Sequence, residues 1–413
     1  MSFEQLSKPY TLPSGLVLPN RLANAAMTEQ MAGPETDYLP NEALNRAYAA
    51  WAEGGWGLVL TGNVQVDSKY LGGPKDTALI DDEAKMLEAW KAWAKACKGA
   101  SNGNPTVVQI NHPGRQSPFG AGTRGFFEKN LAPSAIPLDL GAGILAKLAS
   151  AVVFGTPKEM TVADIQDVVA RFVRTAKISA EAGFDGIEIH AAHGYLLAQF
   201  LSAKSNTRTD AYGGSPTKRA QIIVEIIKAV RAATPEGFTV GIKQNSVDHQ
   251  SESDLNDCIE QLKAITDAGI DFLEVSGGSY EDPSMFLGTE DSKKSDRTKA
   301  REAFFIEFAK AIRSKFPQVP LIVTGGFRSR LGMEAALEQA GCDIVGIGRP
   351  AVLNPHLPKN TIFNKEIKDE DAKVYARKIE PSWLGKLAPP AIGAGAESSW
   401  YSAQMAHMTD AKA

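Results

Sequence analysis

The sequence has few cysteines and no strongly basic stretch. Its three cysteines, Cys97, Cys258 and Cys342, lie far apart in a chain of 413 residues and form no CxxC pair or metal-ligand spacing. We therefore expect neither a zinc site nor an iron-sulfur cluster. The formal net charge is -4 and Lys and Arg form no dense run, so the chain offers no basic surface to a nucleic acid backbone. Nucleic acid is not an expected partner.

Long apolar runs and the glycine fingerprint of a dinucleotide-binding fold are also missing. No uncharged apolar run approaches the roughly 20 residues that a membrane-spanning helix needs. The amino-terminal stretch lacks the basic and apolar regions of a signal peptide. These patterns predict a cytoplasmic protein that does not enter a membrane. No GxGxxG follows a predicted strand, so a nicotinamide cofactor needs another kind of binding site.

A repeated phrase indicates the architecture. Three helical stretches each end in Ala-Gly-x-Asp, and a short run rich in β-branched residues follows at once. The glycine suits the left-handed position after a helix, so each phrase is a helix-to-strand joint. The three strands that follow these joints are GIEIH from residue 186, FLEVS from residue 272 and IVGIG from residue 344.

Five further apolar runs complete a set of eight strands. They are RLANAA (21–26), GLVLTG (57–62), TVVQIN (106–111), TVGIK (239–243) and PLIVT (320–324). Helices are predicted near residues 41–53, 83–98, 216–233 and 299–315. Eight buried strands that alternate with helices favour a closed (β/α)8 TIM barrel over an open doubly wound sheet. Such a barrel carries its active site on the loops after the carboxyl ends of its strands.

Three segments fall outside the eight units. Residues 8–19, with Pro-Ser-Gly at a turn, predict a hairpin that caps the amino-terminal end of the barrel. The Gly- and Pro-rich residues 112–160 form an insertion after strand 3, which we expect to be a lid or wall of the active site. An extension of residues 358–413 follows the barrel core of residues 8–357. We expect it to pack on the barrel or on a second subunit of a homodimer, within a single domain spanning the whole chain.

Two histidines and a tyrosine crowd the end of the fourth strand. His190, His193 and Tyr195 stand where a barrel exposes functional groups. Two imidazoles can donate paired hydrogen bonds to a carbonyl or nitro oxygen, and a neighbouring phenol can deliver a proton. The alternative is that the histidines are structural and the tyrosine is part of the core. Because two of the six histidines lie at one strand end, the functional interpretation is favoured.

The same stretch resembles a known family. HAAHGYLLAQFLS followed by NTRTDAYGG is similar to the signature of the Old Yellow Enzyme family, and five other blocks resemble the family in the family's order. These blocks are NRLANAAMT, VVQINHPGRQ, VGIK, VTGGF and CDIVGIGRP. The resemblance covers residues 8–357. It implies a TIM barrel that holds FMN, takes electrons from NADH or NADPH and reduces an activated carbon-carbon double bond in a small molecule. In the family, the histidine pair binds the substrate oxygen and the tyrosine protonates the alkene.

The resemblance also implies which residues contact the flavin ring. Thr28 stands where the family has a Thr or Cys that hydrogen-bonds the flavin, and Ala26 lies in the same block. Gln109 falls at the glutamine that reads the pyrimidine edge of the ring. Asn63 is near a position where other members carry a small residue. Lys243 replaces the family's usual arginine, and it keeps the positive charge without the planar fork.

The FMN phosphate is assigned to the last two loops of the barrel. Gly325 and Gly326 follow strand 7, while Gly348 and Arg349 follow strand 8. Backbone N–H groups and a cation in these loops are the common phosphate site of TIM barrels. The stretch that contains Arg208 and resembles the family equally well is interpreted as a structural brace.

Other functions remain open at this point. The barrel could hold FMN but pass electrons to oxygen, a quinone or a nitrate ester. It could instead be a flavin-free lyase that uses Lys243 as a Schiff base, or a non-catalytic FMN-binding scaffold. Because no dinucleotide fingerprint is present, NAD(P)H is expected to use the same face of the flavin as the substrate, in a ping-pong cycle. The residues Glu29-Gln30-Met31 replace an aromatic residue of many members, so the substrate pocket is not a copy of theirs.

Overall fold

Every candidate site residue lies in the described part of the chain. The computed structural model describes residues 3–101, 103–125, 127–141, 143–245, 252–276, 308–339, 341–377, 379 and 390–408.

Eight parallel strands close into a barrel. They are β1 (Leu22–Asn24), β2 (Leu58–Leu60), β3 (Thr106–Asn111), β4 (Gly186–Ala191), β5 (Thr239–Asn245), β6 (Phe272–Ser276), β7 (Leu321–Thr324) and β8 (Ile344–Ile347). Each strand pairs in parallel with the next, and β8 pairs with β1. The predicted strands and the predicted TIM barrel are confirmed.

Helices connect the strands and cover the outside of the barrel. Their bounds are Glu42–Glu53, Glu83–Lys98, Val162–Ala182, Pro216–Ala233, Glu252–Asp267 and Arg330–Gln339, with two short helices at Leu196–Leu201 and Arg349–Leu353. Residues 308–315 are helical as predicted, and the first part of that prediction, residues 299–307, lies outside the described residues. In the described part of the chain, no helix combines the length and the apolar character needed to cross a bilayer.

Local sequence explains where these helices begin and end. Thr161 and Asp164 form a reciprocal capping box at the start of the helix before β4. That helix ends at Gly183, whose φ of 98° is left-handed. Gly269, before β6, has the same φ. A residue with a Cβ would be strained at both positions. The Ala-Gly-x-Asp joints therefore work as the sequence indicates.

The amino-terminal half of the barrel interior is apolar. Residues Tyr10–Thr11 pair with Val17–Leu18 in an antiparallel hairpin, and Leu12 and Leu18 of this hairpin pack into the barrel. The lower layer that they contact consists of Ala23, Leu58, Leu60, Val107, Phe272, Ile322 and Ile344. The structure thus has the hairpin cap that the sequence predicts.

The insertion after β3 is built onto the loop that follows β4. It contains the helix Ile144–Val153 and two short paired strands, Leu131–Ala132 and Lys158–Glu159. Arg208 donates to the carbonyl oxygens of Pro133 at 2.9 Å and Met160 at 2.6 Å. This arginine braces the insertion, in agreement with its structural interpretation.

Candidate active site

The end of β4 brings the two histidines and the tyrosine together. His190 Nε2 lies 2.8 Å from His193 Nδ1, and the rings of His190 and Tyr195 meet edge to face with centroids 5.0 Å apart. Tyr195 immediately precedes the helix Leu196–Leu201. All three side chains therefore lie in one cluster at the carboxyl end of the barrel.

Both imidazoles of this cluster are neutral. Burial lowers the pKa of His190 and of His193 well below the ordinary range, and the charge of Lys243 lowers both further. Only one proton can lie between His190 Nε2 and His193 Nδ1. Among the described residues, His190 Nδ1 is buried without a hydrogen-bond partner. An unpaired acceptor is less costly there than an unpaired N–H donor, so we assign the proton to His190 Nε2.

His193 is held in an unusual conformation. Its φ of 58° is left-handed, a region that residues with a Cβ seldom adopt outside strained functional positions. Gln116, at the start of the insertion, donates to its carbonyl oxygen at 2.8 Å. His193 Nε2 lies 3.2 Å from Ser276 Oγ at the end of β6. The insertion is therefore a wall of this site.

Thr28 lies beside a carboxylate that sequence reasoning missed. Thr28 Oγ1 donates to Asp76 Oδ1 at 3.3 Å, and Gln65 Nε2 donates to Asp76 Oδ2 at 2.7 Å. A Cβ on Gly72 would lie 3.2 Å from Asp76 Oδ2 and 3.8 Å from the Tyr195 hydroxyl. Burial raises the pKa of Asp76 to about 6, although its hydrogen bonds oppose the shift. No local pattern in the loop after β2 marks this aspartate.

Four polar side chains form an upper layer inside the barrel, above the apolar lower layer. Gln109 Nε2 donates to Glu188 Oε1 at 2.7 Å, and Lys243 Nζ lies 2.6 Å from Glu274 Oε1. All four are buried. Sequence reasoning found Gln109 and Lys243 but missed both glutamates. The available signal was an acidic residue in the middle of each apolar strand, since a buried glutamate needs a partner.

The two remaining ring-side predictions, Ala26 and Asn63, follow β1 and β2. Ala26 is partly buried against the lower layer. Asn63 lies three residues after the end of β2 and is partly exposed. Neither residue approaches the upper layer through a described hydrogen bond, so their placement alone does not define a role.

One of the two loops assigned to the phosphate contains open space. Gly325 and Gly326 have φ of 115° and 80°, and no described atom lies within 4 Å of the position that a Cβ would take on either. In the other loop, a Cβ on Gly348 would lie 3.5 Å from Met27 Sδ. Arg349, after β8, forms an ion pair with Glu397. A backbone cradle next to a guanidinium suits a phosphate group.

The C-terminal extension covers this end of the barrel. Its helix, Pro390–Ala406, brings Glu397 to Arg349 and places the Ser402 hydroxyl 2.9 Å from the carbonyl oxygen of Thr28, to which it donates. Of the two expected locations, packing on the barrel is therefore observed. No local signal in the sequence relates Glu397 to Arg349.

These residues fit FMN. The upper layer supplies an amide that can both donate and accept and a buried cation, which match the pyrimidine edge of a flavin. The glycine loops and Arg349 match a phosphate. Among the described residues, no group of three or more His, Cys, Asp or Glu side chains could hold a metal ion.

Comparison with known proteins decides the family. The sequence model of the NADH:flavin oxidoreductase / NADH oxidase family matches residues 5–369, which is most of the chain. The chain belongs to this family. It is an NAD(P)H-dependent flavin oxidoreductase of the Old Yellow Enzyme type, and its cofactor is FMN. The family resemblance, the enzyme class and the cofactor predicted from sequence are confirmed.

Two fungal relatives are about half identical to this flavin oxidoreductase. The NADH-dependent flavin oxidoreductase iliE of Neonectria sp. (strain DH2) is 54% identical over 391 residues, which cover 92% of this chain and 50% of that relative. The NADH-dependent flavin oxidoreductase iccE of Talaromyces variabilis is 50% identical over 402 residues, which cover 96% of both proteins. The chain thus spans half the length of the first relative and nearly all of the second.

Solved structures show the same fold. Morphinone reductase aligns with 87% of this chain and 90% of its own length, with a TM-score of 0.69 and 24% identity. The old yellow enzyme homologue from Zymomonas mobilis aligns with 86% of this chain and 91% of its own length, with the same TM-score and identity. At this identity the likeness establishes the TIM barrel and nothing finer.

Proposed function

We propose that this flavin oxidoreductase reduces the activated carbon-carbon double bond of a small electron-poor alkene: an enone, enal, maleimide or nitroalkene. The observation that carries the proposal is the cluster of two neutral imidazoles and a phenol at the carboxyl end of β4. When bound, FMN supplies the hydride chemistry, taking a hydride from NADH or NADPH and giving one to the alkene. The side chains of the cluster supply binding, polarisation and a proton.

The histidines hold and polarise the substrate oxygen. A neutral His190 donates from Nε2, and its proton is already directed to an acceptor 2.8 Å away at His193. A carbonyl or nitro oxygen takes the place of that acceptor. When the His193 ring turns away from His190, it provides a second donor. Because both imidazoles are neutral, they stabilise developing negative charge on oxygen through hydrogen bonds, without giving up a proton.

Tyr195 protonates the α-carbon. Its hydroxyl lies on the side of the cluster that faces Gly72 and Asp76, where the Cβ position of Gly72 is 3.8 Å away. A phenol is a weak acid in water, but it protonates a carbanion-like carbon efficiently when it is positioned beside it.

The proposed FMN contacts divide between two ends of the site. Thr28, Ala26, Asn63, Gln109 and Lys243 border the ring. The phosphate is bound by three glycines and an arginine: Gly325, Gly326, Gly348 and Arg349.

A second candidate function has oxygen as the electron acceptor. A relative named NADH oxidase, from Thermoanaerobacter brockii, is 30% identical over 346 residues, which cover 83% of this chain and 48% of that relative. A Schiff-base lyase is disfavoured. Burial would lower the pKa of Lys243, but the Glu274 and Glu188 carboxyls outweigh it and raise the pKa. A charged lysine is not a nucleophile.

The test is Tyr195→Phe, with an enone and a nitroalkene as substrates. Loss of a positioned acid costs about 10² to 10⁴ in rate, so enone turnover should collapse. Hydride transfer to a nitroalkene should survive, because the nitronate formed is stable enough to leave unprotonated. Stopped-flow flavin reoxidation measures both. His190→Ala is the comparison variant and should slow both substrates. Equal slowing of the two substrates in Tyr195→Phe, or enone turnover at the parent rate, would exclude the proton-donor role.

A further inference from the structure

The upper layer consists of four side chains on four neighbouring strands. Gln109 on β3 donates to Glu188 on β4, and Lys243 on β5 binds Glu274 on β6. The strand register explains this arrangement, since Gln109 pairs with Glu188 and Lys243 with Glu274. Glu188 Oε2 and Glu274 Oε2 are both buried, and neither has a hydrogen-bond partner among the described residues. The two residues expected at the flavin thus each bind one member of a buried carboxyl pair, Glu188 and Glu274.

The carboxyl pair must contain a proton. Two ionised carboxylates buried in one layer repel each other, and each is costly to bury without a full set of hydrogen-bond partners. Both glutamates have no exposed surface. Lys243 supplies one positive charge, which balances one carboxylate. The neutral arrangement is therefore one ammonium, one carboxylate and one carboxylic acid.

The partners decide which glutamate holds the proton. Glu274 faces the ammonium of Lys243, which keeps the Glu274 pKa low even though burial opposes it. Glu188 binds the neutral amide of Gln109. Burial and the charge of Glu274 raise the pKa of Glu188 well above the ordinary value, although the charge of Lys243 opposes the shift. Glu188 is thus the carboxylic acid of the pair.

We propose that the carboxyl pair positions Lys243 and neutralises its charge, so that the pair sets how much positive charge the enzyme presents to the pyrimidine edge of FMN. The inference rests on the proposed placement of Gln109 and Lys243 against the ring. Glu188 and Glu274 are positioning residues, since they act on the flavin through Gln109 and Lys243. Lys243 thus differs from the family's arginine in its geometry, and the carboxyl pair inside the barrel already neutralises its charge.

The first test detects the proton of the carboxyl pair directly. Infrared spectroscopy of the FMN-bound enzyme at about pH 9 should show the C=O band of a buried carboxylic acid. At that pH, Glu29 and Asp76, with pKa values of about 7 and about 6, are ionised. The band should vanish in Glu188→Gln and persist in Glu334→Gln, which alters a buried carboxyl that binds backbone N–H groups of the amino-terminal segment. Absence of the band in the parent enzyme, or its persistence in Glu188→Gln, would overturn the inference.

The second test measures the charge that reaches the flavin. Sulfite adds to oxidised FMN to form an anion, so its dissociation constant falls when positive charge near the ring increases. Glu188→Gln replaces an acid with a neutral amide and should change the constant little. Glu188→Gln combined with Glu274→Gln leaves Lys243 uncompensated and should tighten sulfite binding about tenfold or more, because a buried unit charge alters anion binding by at least one decade. The flavin reduction potential should rise in the same variant.

Lys243→Met separates the inference from the proposal on which it rests. This variant should weaken sulfite binding and lower the reduction potential. If Lys243→Met changes neither quantity while the acid band behaves as expected, the placement of Lys243 at the flavin is wrong. The assignment of a proton to the carboxyl pair is then still supported. If Lys243→Met has its effect but the double glutamine variant binds FMN with an unchanged sulfite constant, the carboxyl pair does not control the charge. Should the double variant fail to fold, the infrared result on the single variants decides.

Discussion

The two layers of the barrel interior are built from the same strands, but one is apolar and the other contains polar and charged side chains. In the lower layer, Val107 and Phe272 pack against leucines of the amino-terminal hairpin. Two residues further along the same strands, Gln109 and Glu274 belong to the upper layer. Alternate residues of a strand point to the same side, so one step of two residues changes the interior from apolar to charged. The lower layer stabilises the fold, whereas the upper layer buries polar groups at some cost in stability, and we propose that two of these groups bind the cofactor.

Gly241 shows how closely the lower layer is fitted. A Cβ at this position would clash with the ring of Phe272, so the absence of a side chain on β5 makes room for the aromatic ring on β6. No comparable packing exists in the upper layer, where the side chains are held by hydrogen bonds and ion pairs. Packing tolerates little change in volume, while a charged layer tolerates little change in charge.

The largest effect is expected from a substitution in the lower layer. Phe272→Ala should lower the free energy of unfolding by about 3 to 5 kcal/mol, since it leaves a cavity in a filled barrel. Chemical denaturation measures this loss, and Phe272→Leu should lose less. The flavin reduction potential of folded Phe272→Ala should be unchanged. A shift in potential as large as that of Lys243→Met would show that the two layers are not separate.

The next effect is the pH dependence of stability caused by a polar group buried at the carboxyl end of the barrel. Glu29 accepts hydrogen bonds from the Tyr48 hydroxyl and from the backbone of Gly62, and burial raises its pKa from 4.5 to about 7. The folded protein thus binds this proton more tightly than the unfolded chain does. The contribution of Glu29 to the free energy of unfolding is then greatest below about pH 4.5, falls as the pH rises to about 7 and is absent above it. The total loss is roughly 3 kcal/mol.

Glu29→Gln tests this assignment. The difference in melting temperature between the parent protein and this variant should change between about pH 6 and pH 7, because only the parent loses the Glu29 contribution there. Asp76, with its pKa of about 6, contributes mainly at lower pH and is common to both proteins. A profile that is unchanged in Glu29→Gln would assign the titration to another group.

A smaller effect is expected at the phosphate end of the site. Arg349→Ala should weaken FMN binding by about 1.5 to 3 kcal/mol, the contribution of charge-assisted hydrogen bonds to a phosphate. The rate of hydride transfer in the FMN-saturated variant should change much less. Titration of the apoprotein with FMN measures the dissociation constant. If that constant is unchanged, Arg349 does not bind the phosphate, and its ion pair with Glu397 serves only to hold the C-terminal helix.

The smallest effect is expected at Thr28. If Thr28 hydrogen-bonds the flavin as proposed, Thr28→Val deletes one hydrogen bond to the ring, worth about 0.5 to 1.5 kcal/mol and stronger to the reduced ring than to the oxidised one. The reduction potential should fall slightly, with slower reduction by NAD(P)H and steady or faster reoxidation by alkenes. Stopped-flow measurement of the two half-reactions separates them. Equal slowing of both would indicate a packing defect near Asp76 and Ser402 instead.

Local sequence was sufficient for the elements of the barrel and for one part of its site. Strand periodicity and the left-handed glycines act over a few residues, so the eight strands could be read directly. His190, His193 and Tyr195 lie within six consecutive positions, and a strand end followed by a helix start necessarily brings them together. The family blocks then identified Gln109, Lys243 and Arg349 as residue types suited to a flavin.

Which side chains meet across the barrel was decided by the tertiary structure alone. Glu188 and Glu274 are 86 positions apart in sequence, and closure of the barrel buries both inside the same layer. The Glu397 ion pair with Arg349 likewise depends on where the C-terminal helix packs. Such contacts have no local signal, since the energy of a buried charge depends on neighbours from distant parts of the chain. The sequence determined the fold and the residue types of the candidate flavin site, and the closed barrel determined which buried groups surround them.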